Sequence, residues 1–337
     1  MPAPRAARPA PQRPAAAAAA AAGASGAGGL GPDDKVLLIG VTGVTGRCAL
    51  DGLLAAGVAP SQLLALSRNP TSPAAAAVAA RGVAVAAGDL DSPASIEPHL
   101  AAARFVYVHA LSGDAASADP AELRRGAALA ALLRARQGAG GGGGLGLIDQ
   151  KNAVADELMA SGAPFLGLEA TMFMEEFWKR YTRPQIIGKG TFPFSLPSDR
   201  KLQLVSARDL GTAAAAAMRS PAPFAGRNIP FAADELTPVE MAAAFAAAQG
   251  GGEVKHSSPP AWLFWILSRD LWRIITFLRE KGYGADPAAC RAEFPGLLSF
   301  RSFLELSGWG DAARAYDGGI QFSDAPVAAA VAVAAAE

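Results

Sequence analysis

The chain has 337 residues, 51% of them apolar, and its 30 basic side chains balance 30 acidic ones to zero formal charge. With no excess of cationic charge to draw in a phosphate backbone, nucleic acid is excluded as an expected partner. Two cysteines, Cys48 and Cys290, cannot build a disulfide framework, and with three histidines they show no zinc-ligand spacing, so no metal is expected.

Residues 1–33 form a leader with Arg5, Arg8 and Arg13, an alanine run from Ala15 to Ala22, and no acid before Asp33. That composition matches an organelle transit peptide, pointing to the chloroplast or another organelle; the alternative is an untargeted tail on a cytoplasmic protein. Lys35 to Gly40 (KVLLIG) is a short apolar run that stops at glycine. Gly40, Thr42, Gly43, Val44, Thr45 and Gly46 follow, and a helical pattern resumes through Leu50, Leu53 and Leu54. Strand, glycine turn and helix, in that order, suit a dinucleotide. Glycine lets the backbone turn sharply and approach a diphosphate, and the helix N-terminus offers unpaired N–H groups with a partial positive charge.

Gln62 to Leu66 predicts a second strand, stopping at Ser67-Arg68-Asn69-Pro70. An acid at this strand end would take a ribose 2′-hydroxyl, whereas an arginine accommodates a 2′-phosphate. Arg68 stands there, with no Asp or Glu between Gly57 and Pro73, so NADP(H) is favoured over NAD(H). Val83 to Ala86 predicts a third strand leading to Gly88-Asp89-Leu90-Asp91, with a helix from Ser92 to Leu100. Asp89 and Leu90 are placed to border the adenine; equally, Asp89 serves only a turn or cap. Phe105 to His109 supplies a fourth strand, with His109 assigned no catalytic role.

A helix is expected over Ala121 to Gln137, a strand over Ala163 to Thr171, and a helix bearing methionines and aromatics over Met172 to Tyr181. Short strands are expected over Asp199 to Val205 and Asn228 to Ala232. Thr237-Pro238-Val239-Glu240 reads as a capping box with proline in the first helical position. Ala261 to Leu278 (AWLFWILSRDLWRIITFL) is interrupted by Arg269, Asp270 and Arg273, too soon for a membrane span. Its Leu263, Ile266, Leu267, Leu271, Ile274, Ile275 and Leu278 fall at helical spacing, which predicts an amphipathic helix packed on a core or partner, with a membrane-surface or dimerisation role as the alternative. The expected organisation is a leader over 1–33, a nucleotide-binding domain over 34–170 with a returning strand near 228–232, a smaller lobe over 171–312 and a low-complexity tail over 313–337.

Five blocks taken in order, VLLIGVTGVTG, LSRNP, GVAVAAGDLDSPASI, QKNAVADELMASGAPFLGLEATMFMEEFW and LPSDRKLQLVSARDLGTAAAAAM, resemble the NmrA-like branch of the atypical short-chain dehydrogenase/reductase superfamily. The resemblance runs from about Lys35 to Trp309. It implies an α/β fold, a Rossmann-like doubly wound parallel sheet with a smaller C-terminal α+β lobe, binding NADP(H) or NAD(H). It also implies that Lys151 orients the cofactor or handles a proton. The tyrosine expected four residues earlier is replaced by Leu147, and the fifth strand is expected to be lost to the glycine run Gly138 to Gly146. Two functional readings remain: an NADP(H)-binding redox sensor acting on an unknown small molecule or protein partner, or an NADPH-dependent reductase of a small quinone, carbonyl or ene substrate.

Overall fold

The computed structural model describes residues 28–109, 120–138, 146–149, 161, 164–314, 320 and 322. Along the first half run β1 (Val36–Ile39), α1 (Val44–Ala55), β2 (Leu63–Ser67), α2 (Pro73–Ala79), β3 (Ala84–Ala87), α3 (Glu97–Ala102), β4 (Phe105–His109), α4 (Pro120–Gly138), β5 (Gly146–Asp149) and β6 (Phe165–Ala170). The second half adds β7 (Met172–Phe173), α5 (Arg183–Lys189), β8 (Thr191–Pro193), β9 (Leu202–Val205), α6 (Ala207–Arg219), β10 (Arg227–Phe231) and β11 (Asp234–Leu236). It closes with α7 (Pro238–Ala248), β12 (Lys255–Ser257), α8 (Ala261–Leu267), α9 (Arg269–Glu280), α10 (Pro287–Glu293) and α11 (Phe300–Leu306).

Seven strands form one sheet in the order β10-β6-β5-β4-β1-β2-β3, every neighbouring pair parallel. Parallel strands covered on both faces read as continuous apolar runs, and β1 (VLLI) and β4 (FVYVH) are buried throughout. The chain winds outward from β1 through β2 to β3, then returns to β4 on the other side of β1. That reversal opens a crevice beyond the carboxyl ends of β1 and β4, where ligands of open α/β sheets lie. The Rossmann-like expectation is met.

The fifth strand is present, contrary to expectation. It begins at Gly146, with Leu147 and Ile148 set between Tyr107 and Val108 of β4 and Leu166 and Gly167 of β6. Gly146 of the glycine run is its first residue, and the sheet's centre is continuous through β5.

On the face formed by α1 and α6 the two helices meet with almost no space between their backbones. A Cβ on Gly52 would overlap the Arg208 carbonyl, and one on Gly211 would overlap the Ala49 carbonyl. The N-terminus of α6 is a capping box in which Ser206 accepts from the Arg208 amide at 3.2 Å and Asp209 accepts from the Ser206 amide at 3.2 Å. Glu175, wholly buried, supports it by accepting from the Ser206 hydroxyl at 2.6 Å and the Ala207 amide at 2.9 Å. Burial pushes the Glu175 carboxyl up to about 8 and that of Asp209 up to about 7; among the described residues no group partners the second oxygen of Glu175.

Met172 to Tyr181 is not the expected α-helix. Met172 and Phe173 pair with Leu204 and Val205 of β9, and Met174 to Trp178 make a 3-10 turn. That turn aims Phe177 into an aromatic cluster, edge-on to Phe192, Phe245 and Phe300 at 5.5–5.7 Å, so these side chains fill a core. The capping box at Thr237 is formed as expected, with Glu240 accepting from the Thr237 amide at 2.7 Å. For Ala261 to Leu278 the structure divides the apolar stripe. Ile275 and Leu278 are buried, whereas Leu263, Ile266, Leu271 and Ile274 are exposed, so core packing accounts for only one side.

Candidate functional site

The site is built at the carboxyl edge of the sheet. At the end of β1, Gly40 takes φ +84°, a left-handed conformation open to glycine at little cost, and its carbonyl accepts from the Gly43 amide at 3.3 Å. Gly43 is the N-cap of α1, and no side chain caps the helix. The first-turn amides of Val44, Thr45 and Gly46 therefore lack a side-chain acceptor, which is the arrangement that receives an anion.

The two inner glycines of the turn differ in kind. A Cβ on Gly46 would strike the backbone of Gly40 and Val41, so the helix rests directly on the turn; among the described residues a Cβ on Gly43 would meet nothing nearer than the Gly40 carbonyl at 3.5 Å. The fold itself does not require glycine at 43. The exposed side of the turn is left clear for a bulky group, and a dinucleotide diphosphate fits it. Arg47 braces the loop by donating to the Thr42 carbonyl at 3.0 Å.

His109, at the end of β4, lies beneath this turn. Its Nε2 is 3.0 Å from the Thr45 hydroxyl and its Nδ1 is 3.3 Å from the Tyr107 hydroxyl, with Phe173 at 6.3 Å between ring centroids. Burial lowers its pKa to about 4, so near neutrality it is an uncharged brace between the central strand and the glycine turn. Sequence reasoning assigned it no part; a polar residue ending an otherwise apolar strand was the signal.

Arg68 is exposed immediately beyond β2. The Ser67 hydroxyl donates to the Asn69 carbonyl at 2.9 Å and accepts from the Asn69 amide at 3.2 Å, which turns the chain tightly around Arg68. Beyond β3, Asp89 accepts from the Asp91 amide at 3.0 Å, as a turn-forming aspartate does, and its own amide donates to Ser95 at 2.9 Å. Leu90 is buried in the apolar cluster with Leu66, Ile96 and Val106. Asp91 is gripped by Arg125, whose Nε lies 3.1 Å and Nη2 2.6 Å from one carboxylate oxygen. That hydrogen bonding holds the Asp91 carboxyl below its ordinary value, helped by the charges of Arg125, Arg124 and Arg68. Arg125 thus pairs with this acid, and the charges of Arg124 and Arg68 act on it from farther off. The sequence reading found only Arg68, because Arg124 and Arg125 lie in a helix more than fifty positions away.

The structure brings Gly40, Thr42, Gly43, Val44, Thr45 and Gly46 into one turn and sets Arg68, Asp89 and Leu90 along the same edge. Lys151 lies outside the described residues. Leu147 is in β5 with Tyr107 as its partner, and Asp149 ends that strand opposite His109. Among the described residues no group of three or more His, Cys, Asp or Glu could hold a metal ion, and no helix is long and apolar enough to cross a membrane.

The sequence model of the NmrA-like family matches residues 144–266. That match covers little more than a third of the chain. Among solved structures the chain is similar to the triphenylmethane reductase of Citrobacter sp., crystallised with NADP(H), with a TM-score of 0.64 and 15% identity over 80% of this chain and 99% of that one. It is similar also to an NADPH-dependent quinone oxidoreductase of Escherichia coli, complexed with NADPH, with a TM-score of 0.60 and 19% identity over 80% and 98%. Pinoresinol-lariciresinol and phenylcoumaran benzylic ether reductases give a TM-score of 0.61 at 13% identity over 81% and 98%. At such identities the likeness establishes the fold. No protein of curated function matches the chain by sequence.

Proposed function

We propose that this chain binds NADP(H) along the carboxyl ends of β1, β2 and β3 and uses it to reduce a small apolar substrate of the quinone, carbonyl or ene type. The carrying observation is the uncapped N-terminus of α1 behind a glycine turn that is clear on its outer side, at the strand-order reversal of the sheet. In this reading the first-turn amides of α1 hold the diphosphate, and Arg68, in a corner shared with Arg124 and Arg125, attracts the 2′-phosphate. Arg47 and His109 keep the turn in shape. The bound nicotinamide would supply a hydride. That the similar structures include NADP(H)-bound reductases, and that β5 completes the sheet, supports turnover over binding alone. A second reading, a redox sensor that binds the nucleotide and signals through the smaller lobe, is favoured by Leu147 standing where related enzymes carry a tyrosine.

The test is calorimetric titration with NADPH and NADH, alongside NADPH oxidation assayed against quinones, enones and triphenylmethane dyes. Tighter NADPH binding that Arg68→Asp reduces selectively is the expected result, because a carboxylate repels a phosphate. Equal losses for both nucleotides would remove Arg68 from the assignment, absence of binding would overturn the reading, and binding without any oxidation would select the sensor.

A further inference from the structure

We propose that the hairpin of α8 and α9 is a docking surface for an anionic lipid bilayer, lying in the plane of the headgroups. The inner side of the hairpin is attached to the protein. Ile275 and Leu278 are buried, Phe277 packs edge-on against Tyr283 at 5.4 Å, and Arg200 donates to the Lys281 carbonyl at 2.9 Å. The outer side carries Trp262 at 62% exposure, Trp265 at 51% and Ile266 at 63%, continued by Leu263, Leu271 and Ile274. Scattered exposed apolar residues are ordinary, but six large ones between Trp262 and Ile274 are a concentration that marks an interaction surface.

The choice of occupant rests on residue type and charge. Trp, with an apolar body and a polar N–H, concentrates where hydrocarbon meets water. Two of them occur here within four residues, and the guanidinium of Arg269 lies 5.6 Å from the Trp265 ring centroid. Arg269 and Arg273 are both exposed on this hairpin, and with Arg279 they outnumber the acids Asp270 and Glu280 of the same segment, which gives the face a positive balance toward phosphate groups. A face combining Trp, Leu and Ile with arginine is the composition of helices that lie in an anionic interface. Its length agrees, because α8 has 7 residues and α9 has 12, separated at Ser268 by an extended backbone, whereas a span needs about 20 continuous residues.

Vesicle flotation of the full chain tests this, using phosphatidylcholine alone and phosphatidylcholine mixed with phosphatidylglycerol. The expected result is co-flotation with the mixed vesicles, weakened by salt. The Trp262→Ala/Trp265→Ala variant should lose it. The Arg269→Gln/Arg273→Gln variant should weaken it roughly tenfold or more on mixed vesicles. Both variants should melt with the parent, since the altered side chains are exposed. Absence of flotation, or equal flotation on neutral vesicles, would overturn the proposal. So would a dimer, seen by sedimentation equilibrium, that the tryptophan variant disperses, because the face would then belong to a second copy.

Discussion

Two helix faces in this chain carry small or apolar side chains, and the molecule treats them in opposite ways. Between α1 and α6 the helices touch through Gly52 and Gly211, with the carbonyls of Arg208 and Ala49 occupying the space where side chains would be. On α8 and α9 comparable apolar residues, Trp262, Trp265, Ile266 and Ile274, remain in solvent. An amphipathic pattern tells which side of a helix avoids water, and says nothing of what covers it. The measure of coverage is the cost of change. At the first face a single methyl group has nowhere to go; at the second a whole side chain can be replaced freely.

The largest expected effect therefore comes from Gly211→Val, which drives a branched side chain into the α1 backbone. It should destabilise the protein by about 3 kcal/mol or more, or prevent folding, read from urea unfolding. A loss under about 1 kcal/mol would show that the helices can part and that the two faces do not differ as described. Gly43→Val separates the turn's two glycine roles: NADPH affinity should fall about a hundredfold while stability changes by less than about 1 kcal/mol, since only the outer side of the turn is filled. An equal loss of stability would place Gly43 with Gly46 among the positions the fold itself demands.

A third measurement concerns the cap of α6. Glu175 ordinarily ionises near 4.5 and in the fold near 8, and Asp209 moves from 3.8 to about 7. Groups with raised folded values contribute stability that is fully present below the unfolded value and lost as pH rises through the folded one. Stability should accordingly decline from about pH 4 to about pH 8. His109, lowered from 6.5 to about 4, works the other way, its contribution being lost as pH falls from 6.5 toward 4, so the stretch above about pH 6.5 isolates the acids. Glu175→Gln keeps the oxygen that accepts from Ser206 and Ala207 and should recover roughly 2 kcal/mol at pH 8.5; an unchanged pH profile would mean the carboxyl is not a source of the decline. Smaller still, Thr45→Val removes one hydrogen-bond partner of His109 and should cost about 1 kcal/mol and loosen nucleotide binding. Leu271→Ser, on the uncovered face, should stay within about 0.5 kcal/mol, and a loss resembling that of Gly211→Val would show that face to be covered after all.

The parallel sheet and its glycine turn were legible because a short apolar run that stops at glycine, followed by a helical period, leaves few alternatives. Phe105 to His109 is a strand over the residues expected of it. β5 was not legible: four residues, GLID, follow a tract of glycines, and its pairing is supplied by β4 and β6. Met172 to Tyr181 has the length and composition of a helix, yet pairing of its first two residues with β9 and burial of Phe177 decide otherwise, and neither partner is near in sequence. For the site, Arg68 was readable from its place after a strand. Arg125 and His109 were not, since their contacts with Asp91 and Thr45 span 34 and 64 positions.

Trp178 and Trp309 meet edge to face at 5.5 Å, with the Arg183 guanidinium 4.2 Å from the Trp178 ring, both indoles sealed from water, while Trp262 and Trp265 stand in it. Apart from Trp272, half-buried on α9, the chain thus carries two optical populations, a blue-emitting interior pair that reports unfolding and a red-emitting outer pair that reports whatever settles on the hairpin, and acrylamide can distinguish them without any attached dye.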